Sequence, residues 1–156
     1  MRNLFYCFLL AAIPVFTSSC KKEVVQLSDR DKFIGTYSGT TSTMLTADNE
    51  IIDFQTVAST QTIEKGSADD EIIVGRGTDF EINTYVTGTI FLVPGHTKHV
   101  IIGNDAMAFD INLLGQGVLD QGKELTITSS GEAKYEDIIF KWTIIEELTK
   151  DVKANP

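Results

Sequence analysis

The residues of this chain whose types could do chemistry are few, and their spacing argues for little of it. The two histidines, His96 and His99, stand in Pro94-Gly95-His96-Thr97-Lys98-His99. On a helical turn, residues three apart would share one side and suit a metal ion. The segment reads instead as a turn leading into a strand, where residues three apart point to opposite faces. Zinc also asks for a third protein ligand, and the two cysteines, Cys7 and Cys20, both stand near the N-terminus. Asn104, Asp105, Asp110 and Asn112 are oxygen donors close together, and Asp69-Asp70-Glu71 forms an acidic tip. Neither has the dense Asp-x-Asp-x-Asp-Gly spacing with which a tight loop wraps calcium. Both read as hairpin turns that cap their own backbone. Gly75-Arg76-Gly77 lacks the following helix that a dinucleotide cradle needs, so a bend or bulge between strands is expected there. No serine stands in a Gly-x-Ser-x-Gly frame of the kind that presents a nucleophile. No metal, cofactor or catalytic residue is therefore predicted, and the chain is read as a non-enzyme.

The elements that would position any site are strands. Phe80, Ile82, Thr84 and Val86 fall on one face, with Glu81, Asn83 and Tyr85 on the other. Met107, Phe109 and Ile111 alternate with Ala108, Asp110 and Asn112, and Leu125 and Ile127 with Glu124, Thr126 and Thr128. Phe140, Trp142 and Ile144 oppose Lys141 and Thr143. This period of two gives one wet and one dry face, as in an antiparallel sheet. Turn signals recur at Ala47-Asp48-Asn49, Gly66 to Asp70, Thr87-Gly88, Pro94-Gly95, Gly103-Asn104-Asp105, Gln121-Gly122 and Ser130-Gly131. Between them strands are predicted near 33–45, 50–65, 71–76, 79–86, 89–93, 97–102, 106–119, 124–129 and 135–147, about eight or nine in all. Helix is scarce, and its best candidate, Glu146 to Lys153, lacks a clear apolar stripe. The expected fold is all-β: an antiparallel meander barrel of about eight strands, with a β-sandwich as the alternative. Closure would remove the exposed edges that an open sheet presents.

Arg2, the apolar run Leu4 to Phe16 and the small residues after it have the layout of a secretory signal. The run is shorter than the ~20 residues a bilayer-spanning helix needs. Thr17-Ser18-Ser19-Cys20 resembles the bacterial lipobox, and Ser19-Cys20-Lys21-Lys22-Glu23 resembles the start of lipoproteins from Bacteroidota. The resemblance implies cleavage before Cys20, lipidation of Cys20, and a lipid anchor in the outer membrane. The mixed charges of Lys21, Lys22 and Glu23 leave the periplasmic and outward faces both open. Each buried CH₂ is worth about 0.8 kcal/mol and one chain anchors marginally, so several acyl chains would hold the protein permanently. The organisation expected is a signal over 1–19, a lipidated tether over 20–31 and a β-barrel domain over 32–150. Such a mature domain makes no disulfide, and its stability comes from burial.

Phe33-Ile34-Gly35-Thr36-Tyr37-Ser38-Gly39 resembles the Gly-x-Trp opening of lipocalins and related calycin barrels, with Tyr37 in the tryptophan's place. Val86 to Phe91 and Gly115 to Thr128 resemble the hairpins of small lipocalin-like lipoproteins of Bacteroidota. The resemblance spans roughly residues 32 to 147 and is a pattern of hairpins. It implies a barrel and a small apolar or amphipathic ligand in its interior or mouth. An eight-stranded barrel is just wide enough for side chains or one small ligand. If hollow, its ligand-facing aromatics are expected to be Tyr37, Phe80, Phe109 and Trp142. If filled, the chain would act through its surface, as an envelope interaction or inhibitor protein. A formal net charge of -9 argues against a nucleic-acid partner. The partners expected are the membrane, through Cys20, and a small apolar ligand.

Overall fold

The structure is a computed structural model, and it describes residues 28–76, 81–102 and 107–152. A short helix, α1 (Asp29–Phe33), precedes eight strands: β1 (Gly35–Ala47), β2 (Glu50–Lys65), β3 (Glu71–Val74), β4 (Ile82–Thr87), β5 (Ile90–Ile102), β6 (Met107–Asp120), β7 (Glu124–Tyr135) and β8 (Ile138–Lys150). Each strand runs antiparallel to the next, and β8 pairs with β1 to close the barrel. The all-β meander expected from the alternation is the fold observed, and the sandwich alternative is excluded.

Local chemistry sets the turns. Asp48 (φ 47°) and Asn49 (φ 71°) both take the left-handed conformation, and they join Ala47 to its partner Glu50. A two-residue turn of this hand matches the right-handed twist of the strands it joins, and Asp and Asn tolerate it best among residues with a side chain. Glu136 and Asp137 make the β7–β8 turn, where Tyr135 faces Ile138.

The segmentation differs from expectation at four places. Phe33 ends a helix instead of opening a strand: Ser28 caps α1, its Oγ accepting from the Asp31 amide at 3.2 Å. Pro94-Gly95 is not a turn. The two residues lie inside β5 opposite Leu114 alone, so the ladder passes from Val93↔Gly115 directly to His96↔Leu113, and the strands expected at 89–93 and 97–102 are one. Ser130-Gly131 lies inside β7. Glycine is needed there because a Cβ on Gly131 would stand 2.2 Å from the Asn112 carbonyl oxygen of β6. Glu146 to Lys150 belongs to β8 rather than to a helix; its inward residues continue the alternation of Phe140 and Trp142.

Two apolar layers fill the barrel's ends. At one end Phe33, Tyr37, Ile63, Ile72, Phe91, Leu119, Leu125 and Leu148 pack together. The helix plugs this end. Tyr37 Oη donates to the Phe33 carbonyl at 2.8 Å, Arg30 Nη1 to the Ala68 carbonyl at 2.7 Å, and Lys150 Nζ to the Lys32 carbonyl at 2.8 Å. Helix-terminal carbonyls lack intrahelical donors, and Tyr37 and Lys150 supply them, while Arg30 ties the helix to the β2–β3 turn. At the other end Leu45, Val100, Ile111, Leu113 and Phe140 form the second layer.

The staves of the barrel are unequal. β3 and β4 have 4 and 6 residues, whereas β2 has 16 and β5 has 13. The β2–β3 ladder covers Ile63 to Lys65, and the β4–β5 ladder covers Val86 and Thr87 against Ile90 and Phe91. Where the second ladder stops, the Thr84 hydroxyl donates to the Leu92 carbonyl in its place. Among the described residues, only the short β3 and β4 bridge β2 and β5, which leaves a slot-shaped low stretch in the described wall.

Candidate ligand-binding cavity

A cavity of about 450 Å³ lies behind this slot, between the two apolar layers. Its apolar wall comes from Val74, Phe91, Val93, Ile127, Trp142 and Ile144. Its polar lining includes Thr41 and Thr43 of β1, Gln61 of β2, His96 and Lys98 of β5, and Glu146 of β8. The mixture is that of a small-molecule site, mostly apolar with a few placed polar groups.

Each polar group owes its position to register. On β8, Phe140, Trp142, Ile144, Glu146 and Leu148 all alternate inward, so Glu146 is a carboxylate on an otherwise apolar face. Its Oε2 accepts a hydrogen bond from Gln61 Nε2 at 3.0 Å. Burial pushes its carboxyl above the ordinary value, and the Gln61 hydrogen bond pulls the other way without cancelling the effect. On β5, Val93 points inward, and strict alternation would turn His96 and Lys98 outward. The bulge at Pro94-Gly95 sets two residues against one and so reverses the phase. His96 and Lys98 then line the cavity and Val100 enters the core. Proline is tolerated at a bulge on an unpaired edge because no ladder donor is lost.

Trp142 is the one tryptophan of the chain. Its indole Nε1 is buried and has no hydrogen-bond partner among the described residues. A buried donor without an acceptor costs about 1–3 kcal/mol, and here it belongs to a cavity-lining side chain.

Of the four aromatics expected to face a ligand, Trp142 lines the cavity. Tyr37 does not: it is fully buried in the helix-plugged end and holds the Phe33 carbonyl, and burial pushes its phenol up to about 12. Phe109 does not line it either. It packs on Phe140 in the opposite layer, ring centroids 4.8 Å apart. Phe80 lies outside the described residues, as do Cys20, Asn104 and Asp105. Sequence reasoning missed Glu146, Gln61, His96 and Lys98. Extending the alternation of Phe140 and Trp142 by four residues would have found Glu146.

The remaining chemistry-bearing residues serve local structure. His96 and His99 point to opposite faces, and His99 Nδ1 stands 2.7 Å from Asp110 Oδ1 on the outside. Glu71 Oε2 accepts from the Ser67 amide at 2.6 Å, the Ser67 hydroxyl at 2.7 Å and the Ala68 amide at 3.1 Å, which ties the β2–β3 turn and lowers its pKa. Gly75 (φ 69°) bends the chain after β3 and donates to the Thr62 carbonyl at 2.9 Å, while Arg76 Nη1 bonds Glu64 Oε2 at 2.8 Å.

Fold and cavity together define a small eight-stranded antiparallel meander barrel, a form that fits a lipocalin-like fold. Compared with known proteins, the chain matches no family model, no curated sequence and no solved structure.

Proposed function

We propose that this chain is a lipid-anchored envelope lipoprotein that holds a small amphipathic molecule inside its barrel. The cavity carries the binding half of this reading: about 450 Å³ of space faced by both apolar and polar side chains, in a fold whose interior can accept one small ligand. The buried indole donor of Trp142, without a partner among the described residues, supports it. The lipobox-like Thr17-Ser18-Ser19-Cys20 supports the anchor.

Native mass spectrometry of the chain after incubation with an envelope lipid extract tests the binding half. A stoichiometric adduct is expected, and it would identify the ligand by mass. A clean apo mass from a folded domain refutes it and turns attention to protein partners. Metabolic labelling with a fatty acid tests the anchor: label is expected on the wild type and lost in Cys20→Ser. Label absent from both would overturn it.

A further inference from the structure

The cavity's lining points to one kind of head group. Resting on the ligand-binding reading above, we propose that the guest carries a protonated amine seated against the Glu146 carboxylate, with its apolar body along Ile127, Ile144 and Trp142. Three observations carry this.

Glu146 is the only carboxylate among the described lining residues. Gln61 holds one of its oxygens at 3.0 Å, which leaves acceptor capacity for a second donor, since a carboxylate offers about four lone-pair sites. Its neighbours across the ladders are Thr41 on β1 and Ile127 on β7, neither of them a charge partner. A half-buried carboxylate without a cation against it bears part of the cost of burying a charge, and an arriving ammonium relieves that cost.

The charges facing Glu146 also sort by position. On β1, β2 and β7 the described lining residues are uncharged, among them Thr41 and Thr43, Gln61, Ile127 and Ser129. Toward the closed end of β8, Lys150 turns to the Lys32 carbonyl. Lys98 lies across the cavity on β5, beside the imidazole of His96. The carboxylate and the lysine ammonium thus mark opposite walls. Finally, the chain's net charge of -9 sets a field that draws cations toward the molecule and repels anions.

The test uses the full-length chain carrying Cys20→Ser, to avoid detergent, with Trp142 fluorescence as the reporter. The probes are decylamine, decanol and decanoate, which share one apolar body. At neutral pH decylamine is expected to bind about tenfold or more tightly than the other two, the worth of one charge-assisted hydrogen bond. Its affinity should rise as pH climbs through the Glu146 titration, because the ionised carboxylate is the partner. Glu146→Gln keeps the size and polarity of the side chain and should erase the preference for decylamine over decanol. Lys98→Met removes a cation from across the cavity and should tighten decylamine alone, which keeps the test open where the Glu146 variant does not fold. Preference for decanoate, or equal binding of decanol and decylamine, overturns the amine while leaving the cavity reading intact. No binding of any probe, by fluorescence and by calorimetry, defeats both.

Discussion

Replacing Gly117 with alanine probes the packing that separates the cavity from the plugged end. An ideal Cβ on Gly117 would lie 2.1 Å from Phe91 Cζ and 2.2 Å from Cε1, where carbons in contact prefer about 3.5–4.0 Å. The ring has little room to retreat. Phe91 is 1% exposed and meets Phe33 edge-on, with centroids 5.6 Å apart. Overpacking of this kind costs about 1–3 kcal/mol, and alanine regains roughly 0.5–1 kcal/mol over glycine in a strand. The net expectation for Gly117→Ala is a loss of about 1–2 kcal/mol, or a fall in Tm of roughly 4–8 °C. Calorimetry and urea unfolding would read it. A double-mutant cycle isolates the cause: in a Phe91→Leu background, where the far ring atoms are gone, the alanine should cost at least about 0.5 kcal/mol less. An unchanged or raised Tm, or the same cost in both backgrounds, would refute the claim that the Phe91 ring occupies the glycine's side-chain space.

Two further expectations concern titration and the helix plug. Burial raises the Glu146 pKa, so the folded chain keeps this proton to higher pH than the unfolded chain; the group's stabilising contribution is complete below the ordinary carboxyl range and is lost as pH rises through the raised value. The Tm of Glu146→Gln should therefore gain on that of the wild type across that window and run parallel to it below, and a constant difference would count against a buried carboxylate. Tyr37→Phe should cost about 1 kcal/mol through the hydrogen bond to Phe33. With its pKa near 12, Tyr37 should give a late component in an alkaline absorbance titration, stability falling from the ordinary phenol range toward that value. Loss of the late component in Tyr37→Phe assigns it, and its persistence refutes the assignment.

The barrel was legible because alternation carries through nearly every strand, and because Asp48-Asn49, Gly66 to Asp70 and Gln121-Gly122 are turn chemistry at true turns. What misled was glycine and proline used for another purpose. Pro94-Gly95 and Ser130-Gly131 look like turns in sequence, yet one pair bulges a strand and the other lets two backbones approach. The cavity was less legible for the same reason. The phase that turns His96 and Lys98 inward depends on the bulge, which local composition does not distinguish from a turn. Gln61 on β2 and Glu146 on β8 meet across the one strand between them, β1, a proximity that exists only once β8 has closed on β1. Apolar character and alternation alone cannot separate Trp142 on the cavity wall from Phe109 in the packed layer beneath it.

The missing length of β3 and β4 has a kinetic consequence. In a barrel with staves of equal height, a guest leaves through the rim, and the loops there govern both how tightly and how long it stays. Here the described wall is low along β3 and β4, beside Gln55 and Val57 of β2. A guest that passes there is slowed by Gln55 and Val57 and held by the side chains on the far wall. Residence time and affinity are thereby assigned to different strands, so bulk added at Val57 should slow exchange in both directions while leaving the equilibrium nearly where it was.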